Sequence, residues 1–219
     1  MRQPTRVPRP HPHERKHGGQ RLAVPRRRVM SKKTITWQAP EGVRIVPEIQ
    51  ACIDVANHLD VKTADSPASM REFLSGMFSY SPVWVRAMFG IRKYVAKVFG
   101  LPHEGLDKSY TPEEIPMEPG ALVDFFTLVH GEEDANYLLE VDDKHLAAQL
   151  ALLVQPLDNG MNRFHVGTLV RYKDWRGPVY FSLIKPFHHL IVRAMVKAGA
   201  RGAHPQRPER NVADSAGAA

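Results

Sequence analysis

One cysteine, Cys52, stands in 219 residues. No disulfide can form within the chain, and a cysteine-rich zinc site is excluded, which fits a reducing, cytoplasmic setting. Long apolar runs are missing too. The longest, Leu150 to Val154 with the alanines before Gln149, falls far short of the roughly 20 residues that cross a bilayer, so no membrane span is expected. There is no Gly-rich phosphate loop, no Gly-x-Ser-x-Gly elbow, and no nucleophile context around Cys52. Of the histidines, His130, His145, His165, His188 and His189 include no pair at a close ligand spacing, so no metal and no cofactor are expected.

Acidic residues are scarce at one end. Residues 1–33 carry eleven Lys/Arg against the single acid Glu14 and hold no extended apolar run. Such a segment cannot bury enough surface to offset its ordering entropy, and residues 1–42 are expected to form a disordered basic arm. The arm lacks the apolar stretch of a secretory signal, and its Pro- and His-rich makeup shows no amphipathic period. Translation is expected to begin at Met30, before Ser31-Lys32-Lys33. Removing the arm and the tail from Gly199 leaves sixteen basic and twenty acidic residues, so the net charge of +7 belongs to the ends and the core is near −4. A mildly acidic core lacks the electrostatic footprint of a nucleic-acid-binding domain.

The patterning lies between residues 43 and 198, one domain, followed by a tail over 199–219 expected to be disordered. Ile45 to Ala56 is mixed. Asn57 to Thr63 alternates as a short strand. Ser66-Pro67 reads as a helix start, with Met70, Phe73, Leu74 and Met77 recurring at helical spacing. Ser81-Pro82 repeats the signal before Trp84, Met88, Ile91, Val95 and Val98, a stripe closed by Gly100 and Pro102. Residues 101–120, rich in Pro, Gly and acids, predict a long loop near a binding edge.

From Leu122 the period becomes two. Leu122 to His130, Asn136 to Val141, His145 to Gln155 and Arg163 to Tyr172 predict four antiparallel strands, separated by turn chemistry that includes Asn159-Gly160. From Pro178, the positions Tyr180, Leu183, Ile184, Phe187, Leu190, Ile191, Ala194 and Met195 define a long amphipathic helix. Pro186 lies inside it and predicts a kink near Ser182 to Pro186, with Gly199 and Gly202 ending the helix. The expected fold is α+β: a curved antiparallel sheet, two short helices after the first strand, and a long kinked C-terminal helix over the concave face. That arrangement resembles the helix-grip superfamily of the START domains, the birch-pollen-allergen proteins and the polyketide cyclases.

Three pieces carry a narrower resemblance. They are Ser81-Pro82-Val83-Trp84-Val85-Arg86 leading to Arg92 and Phe99-Gly100-Leu101; Leu138-Leu139-Glu140-Val141-Asp142-Asp143-Lys144-His145-Leu146; and Gly177-Pro178-Val179-Tyr180-Phe181 leading to Lys185-Pro186-Phe187-His188-His189. In this order they are similar to the bacterial domain of unknown function 2867. The resemblance implies a helix-grip fold with a cavity between sheet and helix, a family sometimes attached to a dehydrogenase-like partner domain, and no activity to carry over. The chain departs from the family at Ala147, Ala148 and Gln149, where an acid, an aromatic and an arginine are usual, and at His189, where arginine is usual.

Asp142, Asp143 and His145 form the densest acid–base group, although Asp at a strand reversal has a turn role by default. His188 and His189 are one residue apart on a helix, so their side chains diverge by about a hundred degrees and cannot share a pocket. His188, beside the stripe, either faces the cavity or satisfies the carbonyls released by Pro186. Arg92, one turn from Met88, either snorkels or meets a buried carboxylate such as Asp124, whose default is outward on a strand. The expected ligand contacts are Trp84, Met88, Arg92, Tyr180, Phe187 and His188, for a small apolar or amphipathic molecule held between sheet and helix. Two alternatives stand beside this. A cyclase- or isomerase-like enzyme would use His145, His188 and Arg92 in the same cavity. An interaction module would dock anionic partners through the basic arm.

Overall fold

The computed structural model describes residue 35, residues 37–87, residue 90 and residues 108–202. Every described residue belongs to one compact unit, within Lys33–Ala219. The basic arm through residue 34, most of the second helical stripe including Met88, Ile91, Arg92, Val95 and Val98, and the tail from 203 lie outside the described residues.

Six strands form one antiparallel sheet: β1 (His58–Ser66), β2 (Leu122–Val123), β3 (Phe126–Glu132), β4 (Asn136–Asp142), β5 (Leu146–Pro156) and β6 (Asn162–Tyr172), in the order β1-β6-β5-β4-β3-β2. Strands β2 to β6 form a meander, and β1 joins its far edge by pairing with β6 over its whole length, from His58↔Val170 to Ser66↔Asn162. Three helices pack on it: α1 (Pro47–Val55), α2 (Met70–Phe78) and α3 (Arg176–Ala200). A fourth helical run, 83–87, begins after Pro82. Curved antiparallel sheet and long C-terminal helix together make a helix-grip α+β fold.

Local chemistry accounts for the boundaries and corrects several expectations. The mixed segment before β1 is a helix, α1, which buries Ile49 and Ile53 against the convex face of the sheet, with Leu138, Leu153 and Leu169. Helix α2 starts three residues later than Ser66-Pro67 suggests. Ser69 is its N-cap and forms a capping box with Glu72, while Ser66 ends β1 and donates its hydroxyl to the Ala200 carbonyl at 2.7 Å. Such a cap contributes about 1 kcal/mol. Asp134, held at φ 50° in the β3–β4 turn, adds a second bond by accepting from the Met70 amide at 2.7 Å.

The strand expected over Leu122 to His130 is two strands. The chain reverses at Asp124-Phe125, where Asp124 takes φ 52°, and Val123 pairs with Phe126. Asp124 is therefore a turn residue, with Tyr110 bonding both its amide (2.8 Å) and its carboxylate (3.1 Å). At Asn159-Gly160 the expected hairpin forms, with Gly160 at φ 74° and the Asn159 side chain accepting from the Met161 amide.

Helix α3 runs unbroken through Pro186, whose missing N–H leaves the Ser182 carbonyl without its usual partner. It ends at Ala200, so Gly199 does not terminate it. Gly199 lies within the helix because a Cβ there would stand 2.7 Å from the Phe73 carbonyl oxygen of α2. The opposite end makes the same close approach, since a Cβ on Gly177 would stand 2.5 Å from the His145 carbonyl oxygen. Among the described residues, no helix is long and apolar enough to cross a membrane.

Candidate functional site

Helix α3 is tied to the sheet by two separate apolar clusters. Near its start, Tyr180 and Phe181 pack on Leu146 and Val170. Near its end, Ile191, Val192, Met195 and Val196 join α2 and the β-strand residues Leu152, Val154, Phe164 and Val166. Between these clusters lies a cavity of about 150 Å³. Its floor is the helix-facing set Val141, Ala148, Leu150, Thr168 and Val170, its roof is α3 from Tyr180 to Met195, and Met77, Phe78, Phe125 and Phe126 close one side. Leu183 and Phe187 line it while remaining 53% and 38% exposed, so the cavity meets solvent beside them.

Three of the expected ligand contacts, Tyr180, Phe187 and His188, border this cavity. Trp84 does not. It is 37% exposed and packs edge-on against Tyr80 at 6.5 Å. Met88 and Arg92 lie outside the described residues.

The acid–base candidates divide sharply. His145 is buried but does not line the cavity. Its Nδ1 is 2.7 Å from Asp174 Oδ2, and its carbonyl accepts from the Lys173 amide at 2.9 Å. Asp174 in turn accepts from the Arg176 and Gly177 amides through Oδ1, at 2.8 and 3.3 Å. This Asp therefore caps α3 and holds the imidazole at the same time. Desolvation works to raise the Asp174 carboxyl, but the bonds from His145 and the two amides outweigh it and hold the group below the usual value. His145 is a positioning residue for the start of the helix.

Asp142 and Asp143 occupy the β4–β5 reversal, where the Asp143 amide donates to the Leu146 carbonyl and Asp142 pairs with Lys173. Asp143 is buried and borders the cavity. His188 and His189 diverge as helical spacing requires. His188 borders the cavity and meets the Phe181 ring edge-on, whereas His189 leaves it to reach Asp60 Oδ2 at 3.0 Å. Asp60 also pairs with Lys62. Beside them, His58 is pushed below the usual histidine value by burial first, then by the charges of Lys185 and His189.

Residues that sequence reasoning did not single out supply most of the cavity, among them Ala148, Leu150 and Thr168. Alternation in β6 carried the signal: Phe164, Val166, Thr168 and Val170 share one face, and Thr168 alone among them is polar. The described part of the expected binding loop, 108–120, contributes nothing to the cavity. It is fastened instead to α2 and β4, by Ser75 and Ser79 at Tyr110, Arg71 at the Ile115 carbonyl and Tyr137 at the Pro116 carbonyl. Burial raises the Cys52 thiol, and Glu140 adds to the rise, which leaves it a poor nucleophile. Among the described residues, no group of three His, Cys, Asp or Glu side chains is placed to hold a metal ion.

Fold and site together define a helix-grip α+β protein with a mostly apolar cavity under its C-terminal helix. The chain belongs to the family described as a protein of unknown function (DUF2867), whose model matches residues 52–195. Among solved structures it is similar to a START superfamily protein from Mycobacterium smegmatis, at 12% identity over 66% of this chain and 97% of that one, with a TM-score of 0.34. It is also similar to Ara h 8.0201, at 12% identity over 65% of this chain and 97% of the other, with a TM-score of 0.30. No curated protein matches the chain.

Proposed function

We propose that this protein binds a small apolar or amphipathic molecule between the sheet and α3. One observation carries the reading: a void of about 150 Å³ lies in that gap and is lined chiefly by aliphatic and aromatic side chains. An apolar void of this size costs packing energy, because its lining lacks partner atoms on one side, and an apolar guest restores those contacts. An apolar cavity of this volume elsewhere in protein chemistry stays dry and accepts benzene-sized molecules. The exposed Leu183 and Phe187 supply a way in.

An enzymatic reading has less to work with. Of its two described candidates, His188 borders the cavity and His145 is committed to Asp174, while Arg92 lies outside the described residues. The binding reading uses the cavity itself and requires no proton relay.

The test is native mass spectrometry of the chain purified from its own host, with extraction of whatever travels with it. The expected result is a bound mass that disappears in Ala148→Leu, a change that fills the cavity floor. A wild-type chain that arrives empty and also fails to take up small aromatic probes would sink the reading.

A further inference from the structure

We infer that Thr168 is the polar anchor of the cavity, and that the ligand is a compact, ring-sized apolar molecule carrying one hydrogen-bonding group, a hydroxyl or a carbonyl. This rests on the small-molecule reading and narrows it.

Thr168 borders the cavity, is 3% exposed, and its hydroxyl is buried with no hydrogen-bond partner. Its flanking positions on the same face of β6, Val166 and Val170, are aliphatic, and its cross-strand neighbour on β5 is Leu150. On the other side its neighbour in register is Asp60, but that carboxylate is engaged by Lys62 and His189. The fold therefore makes no use of the hydroxyl.

A buried, unpaired hydroxyl weakens a protein, and valine would fill the same space without that loss. Its place in the wall of the cavity under α3 supplies the missing partner. A guest seated on the floor brings a donor or acceptor to Oγ1, which can serve either role. Volume limits the rest of the guest. About 150 Å³ accommodates a single ring with small substituents and excludes a steroid or a long acyl chain held wholly inside.

Toluene and p-cresol test this, because they differ by one hydroxyl. Their dissociation constants are measured by NMR titration against the full chain, Thr168→Val and Thr168→Ser. In the wild type the cresol-to-toluene preference is expected to exceed that of Thr168→Val by about fivefold to tenfold, the worth of one hydrogen bond. Thr168→Ser should retain most of the preference. Without ligand, Thr168→Val should melt at or above the wild-type temperature, showing that the lost preference is not unfolding. Binding of both probes with an unchanged ratio in Thr168→Val overturns the anchor and leaves the cavity reading standing. Binding of neither probe to the wild type overturns both.

Discussion

The strands present aliphatic and aromatic side chains to both sides of the sheet, yet the convex side retains a void of only about 10 Å³ while the side under α3 encloses about 150 Å³. The convex side is covered by the nine-residue α1, whose Ile49 and Ile53 reach directly onto Leu138, Leu153 and Leu169. The other side is covered by a helix of 25 residues with two packing clusters and a gap between them. Supply of apolar residues does not separate the two faces. What separates them is where the covering helix is held, and the hollow follows from the placement of those contacts.

Three changes break or sharpen this contrast. Ile49→Ala should have the largest effect, about 3 kcal/mol of lost stability by urea denaturation, because the close-packed side has no slack to collapse into. Ligand binding on the opposite side should be unaffected. Next comes a matched pair on β5. Ala151 faces the packed side, and Ala151→Leu should cost about 2 kcal/mol through overpacking. Ala148 faces the hollow, and Ala148→Leu should cost less than about 1 kcal/mol while eliminating probe binding. Equal costs at the two positions would show that the hollow is not real in solution.

The smallest effect concerns pH. His165, on the convex side with its Nε2 bonded to Gln155, is held below the usual value of 6.5, by burial first and by Arg163 second. The unfolded chain then binds a proton that the folded chain resists, so stability falls as pH drops below about 6.5 and levels off once the folded value is passed. His165→Gln should flatten the melting temperature between pH 7 and pH 5 relative to the wild type. An unchanged pH slope in that variant would mean the loss arises elsewhere.

The fold was largely legible because its long elements carry strong periods. Strands β4, β5 and β6 are bounded by Asp, Asn and Gly turns, and α3 has an apolar stripe sustained over several turns. Helix α1 was not legible: two isoleucines and Cys52 over nine residues, entered from Val46 without a side-chain cap, give little signal. The split of β2 from β3 was hidden because Asp124 in a left-handed turn looks, in sequence, like an outward strand position. For the site, helical phase separated His188 from His189. The role of His145 depends on Asp174, 29 residues away, and no local pattern pairs them. Tyr180 and Phe187 stood out by size, whereas Thr168 and Ala148 matter by being small or polar among larger neighbours, a feature visible only once the strands are aligned.

The two glycines of α3 have a mechanical consequence. At Gly177 and Gly199 the helix backbone rests against other backbone, so the element behaves as a beam seated on backbone near its ends and held along its span only by side chains. Pro186 falls within that span, where one rung of the hydrogen-bond ladder is already absent. Flexure concentrates there. A guest slightly too large would bow the middle of the beam outward while both bearings stay seated, so the capacity of the chamber is set by the stiffness of one proline-weakened stretch.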